Sequence, residues 1–414
     1  MRLPPLRYID AFPVDHAGQR LVCLRDPEGI VEQQILLTPA AFLIASHLDG
    51  QRDLSDLQDA FARQFAGQRL AAEDVQQLVH DLDQQGFLLT ERFHLLRRQV
   101  EHTFLSTPMR PAYLAGKSYP EQPRALRTFL DEQFTARDGG PGALPGQGSR
   151  SRGRDGNPMR CLIAPHIDYH RGGHAYAHAY LELFNQGQPD VVIIFGVAHV
   201  SPPAPFILTQ KDFATPFGKL STDRDLVRQL EAACSWDPYA HEIVHRTEHS
   251  IEFQAVMLSY LFGPDVRIVP ILCGTFGSEV GGVAPADIGA VTTFLDTCRD
   301  VVAALGKRVS VIAGADLAHV GQRFGDEFEI SETIVQQVAS RDREDLYYVT
   351  AGDADGFYRS VMQDRNQRRI CGLNCIYASL KTVESDGVEG ALVHYDYAHD
   401  PAGGMVSFAD VIFP

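Results

Sequence analysis

No stretch of the 414-residue sequence approaches the roughly 18 consecutive apolar residues of a membrane-spanning helix. The most apolar run, Val191 to Val200, is short and fits a buried strand. The opening residues, MRLPPLRYID, lack a charged segment followed by an apolar one, so no secretory signal is expected. Cysteine occurs seven times, an odd number at irregular spacing and without a Cys-x-x-Cys pair. That argues against a disulfide framework and a structural zinc ribbon, and predicts reduced thiols in a cytoplasmic protein. Positive charge is in deficit: 37 Lys and Arg against 53 Asp and Glu leave a net charge of −16. Broad contact with nucleic acid or an anionic membrane surface is thereby disfavoured. Gly-x-Gly-x-x-Gly, Walker A, His-Glu-x-x-His, a serine-centred elbow and internal repeats are all missing, which leaves dinucleotide binding, phosphate cradling and hydrolysis without a motif.

What is present divides into three textures, and the length alone favours two domains. Residues 1–95 combine short strand-like runs (Arg20–Leu24, Gln34–Leu37) with three helices. Thr38-Pro39 opens the first helix, with a capping hydroxyl and a proline at the first helical position. The second carries Leu54, Leu57, Phe61 and Phe65; the third carries Val75, Leu78, Val79 and Leu82, ends at Gly86 and leads to a return strand at Phe87–Leu89. The set predicts a small winged-helix-like α+β domain. Its acidic surface (Asp53, Asp56, Asp59, Glu73, Asp74, Asp81, Asp83) speaks against DNA and leaves peptide binding and simple packing as alternatives. Residues 96–158 form a connector, with helical character from Arg92 to Phe104 and from Arg124 to Phe134. It ends in RDGGPGALPGQGSRSRGRDGNP, too rich in Gly, Pro, Ser and Arg to bury a core and expected to be a flexible surface insertion.

Residues 159–414 alternate strands (Cys161–Pro165, Val191–Val197, Arg267–Cys273, Val309–Gly314, Ala391–Tyr397, Met405–Ile412) with helices (173–184, 223–233, 249–262, 287–304, 328–339, 371–384). This predicts an α/β fold: a largely parallel sheet flanked by helices, with strands buried on both faces. Sites in such sheets gather beyond the carboxyl ends of the strands. His166, His199 and the pair Asp316 and His319 each follow a strand. Imidazoles converging from separate strand ends suit a redox or Lewis-acid metal, and any not bound to metal suit acid–base work. Asp168, Glu248, Glu252 and Asp316 are available to orient the rings. His249 opens a helix, where the positive end disfavours its protonation, and Glu252 three residues on is placed to reach back to the His249 amide. Cys371 is expected at a helix start, a position that favours the thiolate, with Cys375 one turn later.

AGKSYP, IAPHIDY, FGVAH, EHSIEFQ, ADLAHVGQRF and ICGLN follow one another between about 115 and 374. This ordered series resembles the Memo family, whose domain would begin near 108; bacterial members of this layout are called AmmeMemoRadiSam system protein B and resemble class III extradiol dioxygenases in fold. The stretch LDGQRDLSDLQDAF…EDVQQLVHDLDQQGFL is similar to PqqD-like domains, which bind leader peptides. The resemblance implies a metal trio of His166, His199 and Cys371 for iron or copper, with zinc ranked below them, and His249, Asp316 and His319 as candidate catalytic residues of the same pocket. A cysteine in place of the dioxygenase carboxylate puts catechol cleavage in doubt and favours copper(I) or a redox role. Asp168 departs from the family's usual PHAGY and is read either as an orienting partner or as a surface acid. Two functions follow. One is an iron- or copper-dependent, oxygenase-like redox activity within a radical-SAM-associated system, with radical SAM and AMMECR-type proteins as partners. The other is a non-catalytic adaptor or peptide-binding component of that system.

Overall fold

The computed structural model describes residues 2–65, 69–147, 158–200, 202–277, 282–384 and 389–414. The chain forms two compact units, Met1–Ser106 and Thr107–Pro414.

In the first unit, β1 (Asp10–His16), β2 (Gln19–Arg25) and β3 (Ile35–Leu37) make an antiparallel sheet. β1 was not foreseen. It is joined to β2 by Ala17-Gly18, both at positive φ, the two-residue turn whose twist matches a hairpin. Helices α1 (Pro39–Ser46), α2 (Leu54–Gln64), α3 (Ala72–Gln84) and α4 (Glu91–Ser106) follow. Thr38 caps α1 as expected, and Asp53 with Asp56 forms a capping box on α2. Leu24, Leu37, Ile44, Leu57, Phe61, Val75, Leu82 and Phe87 close the core. The return strand expected at Phe87–Leu89 is reduced to one bridge, Leu88 with Leu6. A buried Arg7–Asp26 pair at 2.7 Å ties the amino-terminal segment to the loop after β2.

The second unit is built on an eleven-stranded sheet, mostly parallel at its centre. Its elements are β4 (Met109–Arg110), α5 (Pro123–Thr135), β5 (Cys161–Ala164), α6 (Tyr169–Gln186), β6 (Val191–Val197), β7 (Phe206–Leu208), β8 (Asp212–Thr215), β9 (Gly218–Thr222), α7 (Arg224–Glu231), α8 (His249–Phe262), β10 (Arg267–Cys273), α9 (Gly289–Ala304), β11 (Val309–Gly314), β12 (His319–Gly321), α10 (Glu332–Thr350), α11 (Ala354–Met362), α12 (Leu373–Val383), β13 (Ala391–Asp400) and β14 (Gly404–Phe413). The central order β5–β11–β6–β10–β9 is parallel throughout. β14 adds antiparallel to β5, and among the described residues β13 pairs only with β14. Ile193 and Phe195 of β6 face α9 and α12, whereas Val192 and Ile194 face α6 and α8, so apolar layers cover both faces. The continuous apolar runs of β5, β6, β10, β11 and β14 are buried in this way. β13 is not: it is an edge strand, and although α6 and α10 pack against it, Leu392 and Tyr397 stay exposed. In the Gly/Pro-rich insertion, Gly139 O accepts from His178 Nε2 (3.0 Å) and Leu144 packs on the core; residues 148–157 of the insertion lie outside those described. Among the described residues no helix is long and apolar enough to cross a membrane.

Candidate metal centre

Three adjacent parallel strands, β5, β11 and β6, end side by side, and each is followed by a chemistry-bearing residue: His166, Asp316 and His199. The strands of an open α/β sheet leave such a crevice at their carboxyl ends. His166 is 1 % exposed. Its backbone N–H donates to Asp316 Oδ1 (2.9 Å), and its Nδ1–H donates to the Gly314 carbonyl (2.8 Å). A carbonyl only accepts, so Nδ1 carries a proton and Nε2 is the nitrogen turned toward the pocket. The Cys371 thiol lies 3.2 Å from that Nε2.

His199 is held differently. Its amide donates to Glu248 Oε2 (3.1 Å) and its Nδ1 donates to Glu248 Oε1 (3.0 Å), which turns Nε2 inward. Glu248 also caps α8 by accepting from the amides of His249 and Ser250 (2.8 and 3.1 Å). The His249 ring stacks on that of His199, centroids 4.6 Å apart at 17°, and both stand edge-on to His166 at 5.1–5.2 Å. The donor atoms of His166, His199 and Cys371 all lie within 4.8 Å of one another, as do those of His199, Glu248 and His249. His319 lies at the margin, its Nδ1 donating to the Leu317 carbonyl (3.1 Å) and its ring edge-on to Phe324.

The electrostatics follow from burial and from one carboxylate. Burial alone would depress His199, but the Glu248 carboxylate and the hydrogen bond to Cys371 outweigh it and raise its pKa to about 9. Burial pushes His249 down to about 3, against the pull of Glu248 and with help from the neighbouring imidazoles, so it stays neutral. The neutral state was expected; its main cause is burial, not the helix end. His319 is lowered by burial too, with Asp316 opposing. Glu248 lies well below the usual carboxylate range: burial would raise it, but His199, His249 and the α8 amides prevail.

Two expectations need correction. Cys371 stands one residue before Gly372, the N-cap of α12, and burial together with Asp316 raises its thiol despite the hydrogen bond from His199. Glu252 does not cap α8. It is fully buried and accepts from Arg110, from the Leu114 amide (2.8 Å) and from Tyr119 Oη (2.5 Å). Asp168 caps α6 and pairs with Arg171 at 2.7 Å, so it is the surface acid of the two alternatives. Of the four carboxylates available to orient rings, Glu248 does so, while Asp316 holds the backbone of the His166 turn. The role of Arg110 had no local signal, since its partners lie some 140 positions away.

Glycine makes two close approaches possible here. A Cβ on Gly314 would sit 2.5 Å from Ser250 O, and one on Gly372 would sit 2.5 Å from Ala315 Cβ and 2.7 Å from Asp316 O.

A cysteine sulfur and two imidazoles combine soft and borderline donors, the set that copper(I), zinc and iron accept, so the residues fit a transition metal. Fold and donor set together define an α/β protein with a histidine–cysteine pocket at the carboxyl edge of a mostly parallel sheet. The chain belongs to the Memo-like protein family, whose family model matches residues 110–412. It is 28 % identical over 412 residues to a MEMO1 family protein of Aquifex aeolicus, with 99 % of each chain covered. It is 28 % identical over 330 residues to one of Thermus thermophilus (80 % of this chain, 89 % of that one) and 29 % identical over 310 residues to one of Methanococcoides burtonii (73 % and 99 %). Sharing with the Aquifex protein thus includes the first unit, while the family model begins just inside the second.

Proposed function

We propose that this protein is an iron- or copper-dependent redox protein of oxygenase-like type, with the ion held by His166, His199 and Cys371. The observation that carries this is the convergence of those three donors within 4.8 Å, while the other nitrogen of each ring is engaged by Gly314 O or Glu248. Such outer partners fix tautomer and ring orientation. A bound iron or copper ion would supply one-electron chemistry and a place to orient oxygen and substrate. The chain's own residues do the rest. His249, neutral and about one-third exposed, offers a hydrogen-bonding imidazole to a ligand at the pocket mouth, and Asp316 holds the His166 turn through two backbone amides. The fold is read as related to extradiol dioxygenases, and the protein as a component of a radical-SAM-associated system. Anaerobic purification followed by elemental analysis tests this. Near-stoichiometric iron or copper that is lost in His166→Ala supports it; substoichiometric metal unchanged in that variant overturns it.

A second reading, an adaptor with a peptide-binding front unit, draws on one observation. The first unit carries a cleft of about 820 Å³ lined by Ile30, Val31, Gly86, Arg92, Leu95 and Leu96. It accords with a PqqD-like, winged-helix-like role. Pull-down of a partner that survives His199→Ala with Cys371→Ala, and is lost on deleting residues 1–95, favours it.

A further inference from the structure

Among the described residues Arg110 heads the large, fully buried side chains, and nothing in the metal-ligand reading uses it. It stands on β4, 142 positions from Glu252. Its guanidinium spends every nitrogen on one short stretch and its flank. Nε donates to the His245 carbonyl (2.9 Å), Nη2 to the Glu248 carbonyl (2.9 Å), and Nη1 to the Pro111 carbonyl (2.8 Å) and to the Glu252 carboxylate. Phe213 packs under the guanidinium at 5.3 Å. Glu252 is held on its other oxygen by Leu114 N and Tyr119 Oη.

The stretch gripped in this way is the approach to α8. A short 3-10 helix (Glu242–Arg246) ends there and Glu248 is the N-cap of α8, so the His245 and Glu248 carbonyls bracket the connection between the two helices. Arg110 takes both. The planar fork sets the position of the Glu248 backbone from one side, while the α8 amides set its carboxylate from the other. Glu248 in turn holds the His199 amide and ring. No contact of Arg110 reaches His166, which depends on Gly314 and Asp316.

We propose that Arg110, braced by Glu252 and Tyr119, is a positioning residue for the His199–His249 side of the pocket. Through Glu248 it sets the angle at which the His199 Nε2 enters the metal site. The proposal rests on the reading of His166, His199 and Cys371 as metal ligands, and its test separates the two.

The variants are Arg110→Lys, which keeps the charge but loses the fork, and Tyr119→Phe, which removes one brace and leaves Arg110 intact. In the full-length protein, two quantities are measured. One is the copper(I) dissociation constant, determined anaerobically against a chromophoric chelator. The other is the set of ¹⁵N and ¹H ring signals of His199 and His166 in metal-free protein. Arg110→Lys is expected to weaken copper(I) binding about 10- to 100-fold, the range for losing an outer partner. It is expected to shift the His199 ring signals and leave those of His166 in place. Tyr119→Phe is expected to do the same to a smaller degree. Unchanged affinity and unchanged His199 signals in a folded Arg110→Lys overturn the proposal, as do equal shifts at both rings, which mark general loosening. Should Arg110→Lys not fold, Tyr119→Phe with unmoved His199 signals overturns it alone. Wild-type protein that binds no copper(I) overturns the ligand reading instead, because the ring signals report positioning without any metal.

Discussion

His166 and Asp316 stand on one side of the pocket and His199 and His249 on the other, and the two sides are held by different kinds of partner. On the first, the side chains are 2 % and 3 % exposed and the bonds run to backbone: Gly314 O, and the amides of His166 and Ile167. On the second, the side chains are 37 % and 35 % exposed and both rings depend on the Glu248 carboxylate. The backbone partner of the His166 ring, Gly314 O, does not titrate and cannot be removed by substituting a side chain. A carboxylate partner can be tuned by pH and lost by one substitution. The first side therefore resists perturbation, while the second is the adjustable one.

The largest effect should come from the rigid side. His166→Ala is expected to abolish metal retention, and His199→Ala to leave weakened binding through His166 and Cys371, both read by elemental analysis after dialysis. Equal loss in the two would erase the distinction. Next is a pair of buried carboxylates. Asp316→Ala strands two amide donors and should cost about 2–3 kcal/mol in urea unfolding. Asp410 is fully buried, neither oxygen has a hydrogen-bond partner among the described residues, and burial raises its pKa well above the ordinary 3.8. A carboxyl raised on folding stabilises below its unfolded value and loses that contribution as pH climbs. Asp410→Asn should therefore raise stability at pH 7 by on the order of 1–3 kcal/mol and leave it unchanged near pH 3. A destabilised Asp410→Asn at pH 7 would show that the carboxylate has a partner.

The adjustable side comes third. Glu248→Gln should weaken metal binding about 10- to 100-fold in the same chelator competition, with the ring signals of His166 undisturbed. The smallest effect is in pH. His199 is raised from 6.5 to about 9, so the folded metal-free protein holds a proton that the unfolded chain releases. That contribution is complete below pH 6.5 and is lost as pH rises through 9. With more than a third of the side chain exposed, it should amount to under about 1 kcal/mol. Thermal melts of metal-free protein between pH 6.5 and 9 should fall in wild type and flatten in Glu248→Gln.

Much of the sheet could be read in the chain because β5, β6, β10 and β11 are unbroken apolar runs, and a strand covered on both faces needs nothing else. The strands β7, β8 and β9 escaped: they are three to five residues long, and Asp212, Lys219 and Thr222 interrupt β8 and β9. β13 reads as a strand alongside β14, but His394, Asp396, His399 and Asp400 interrupt its apolar pattern, which suits an edge. In the pocket, the positions after strand ends identified His166, His199 and Asp316. Glu252 misled, because a glutamate near a helix start suits a cap and a buried ion pair equally well, and the deciding residue, Arg110, is remote. Cys371 misled in its protonation, since nearness to a helix end is visible in sequence and the depth of burial is not.

The bare Cα atoms of Gly314 and Gly372 have a practical meaning. Each leaves a gap narrower than one methyl group, one beneath the start of α8 and the other between the Cys371 turn and the Asp316 segment. An alanine at either place would act as a shim, displacing one donor relative to the others by a fraction of an ångström without altering its chemistry. The two positions are dials for donor spacing, open to the engineer and to natural variation alike, that leave the ligands themselves untouched.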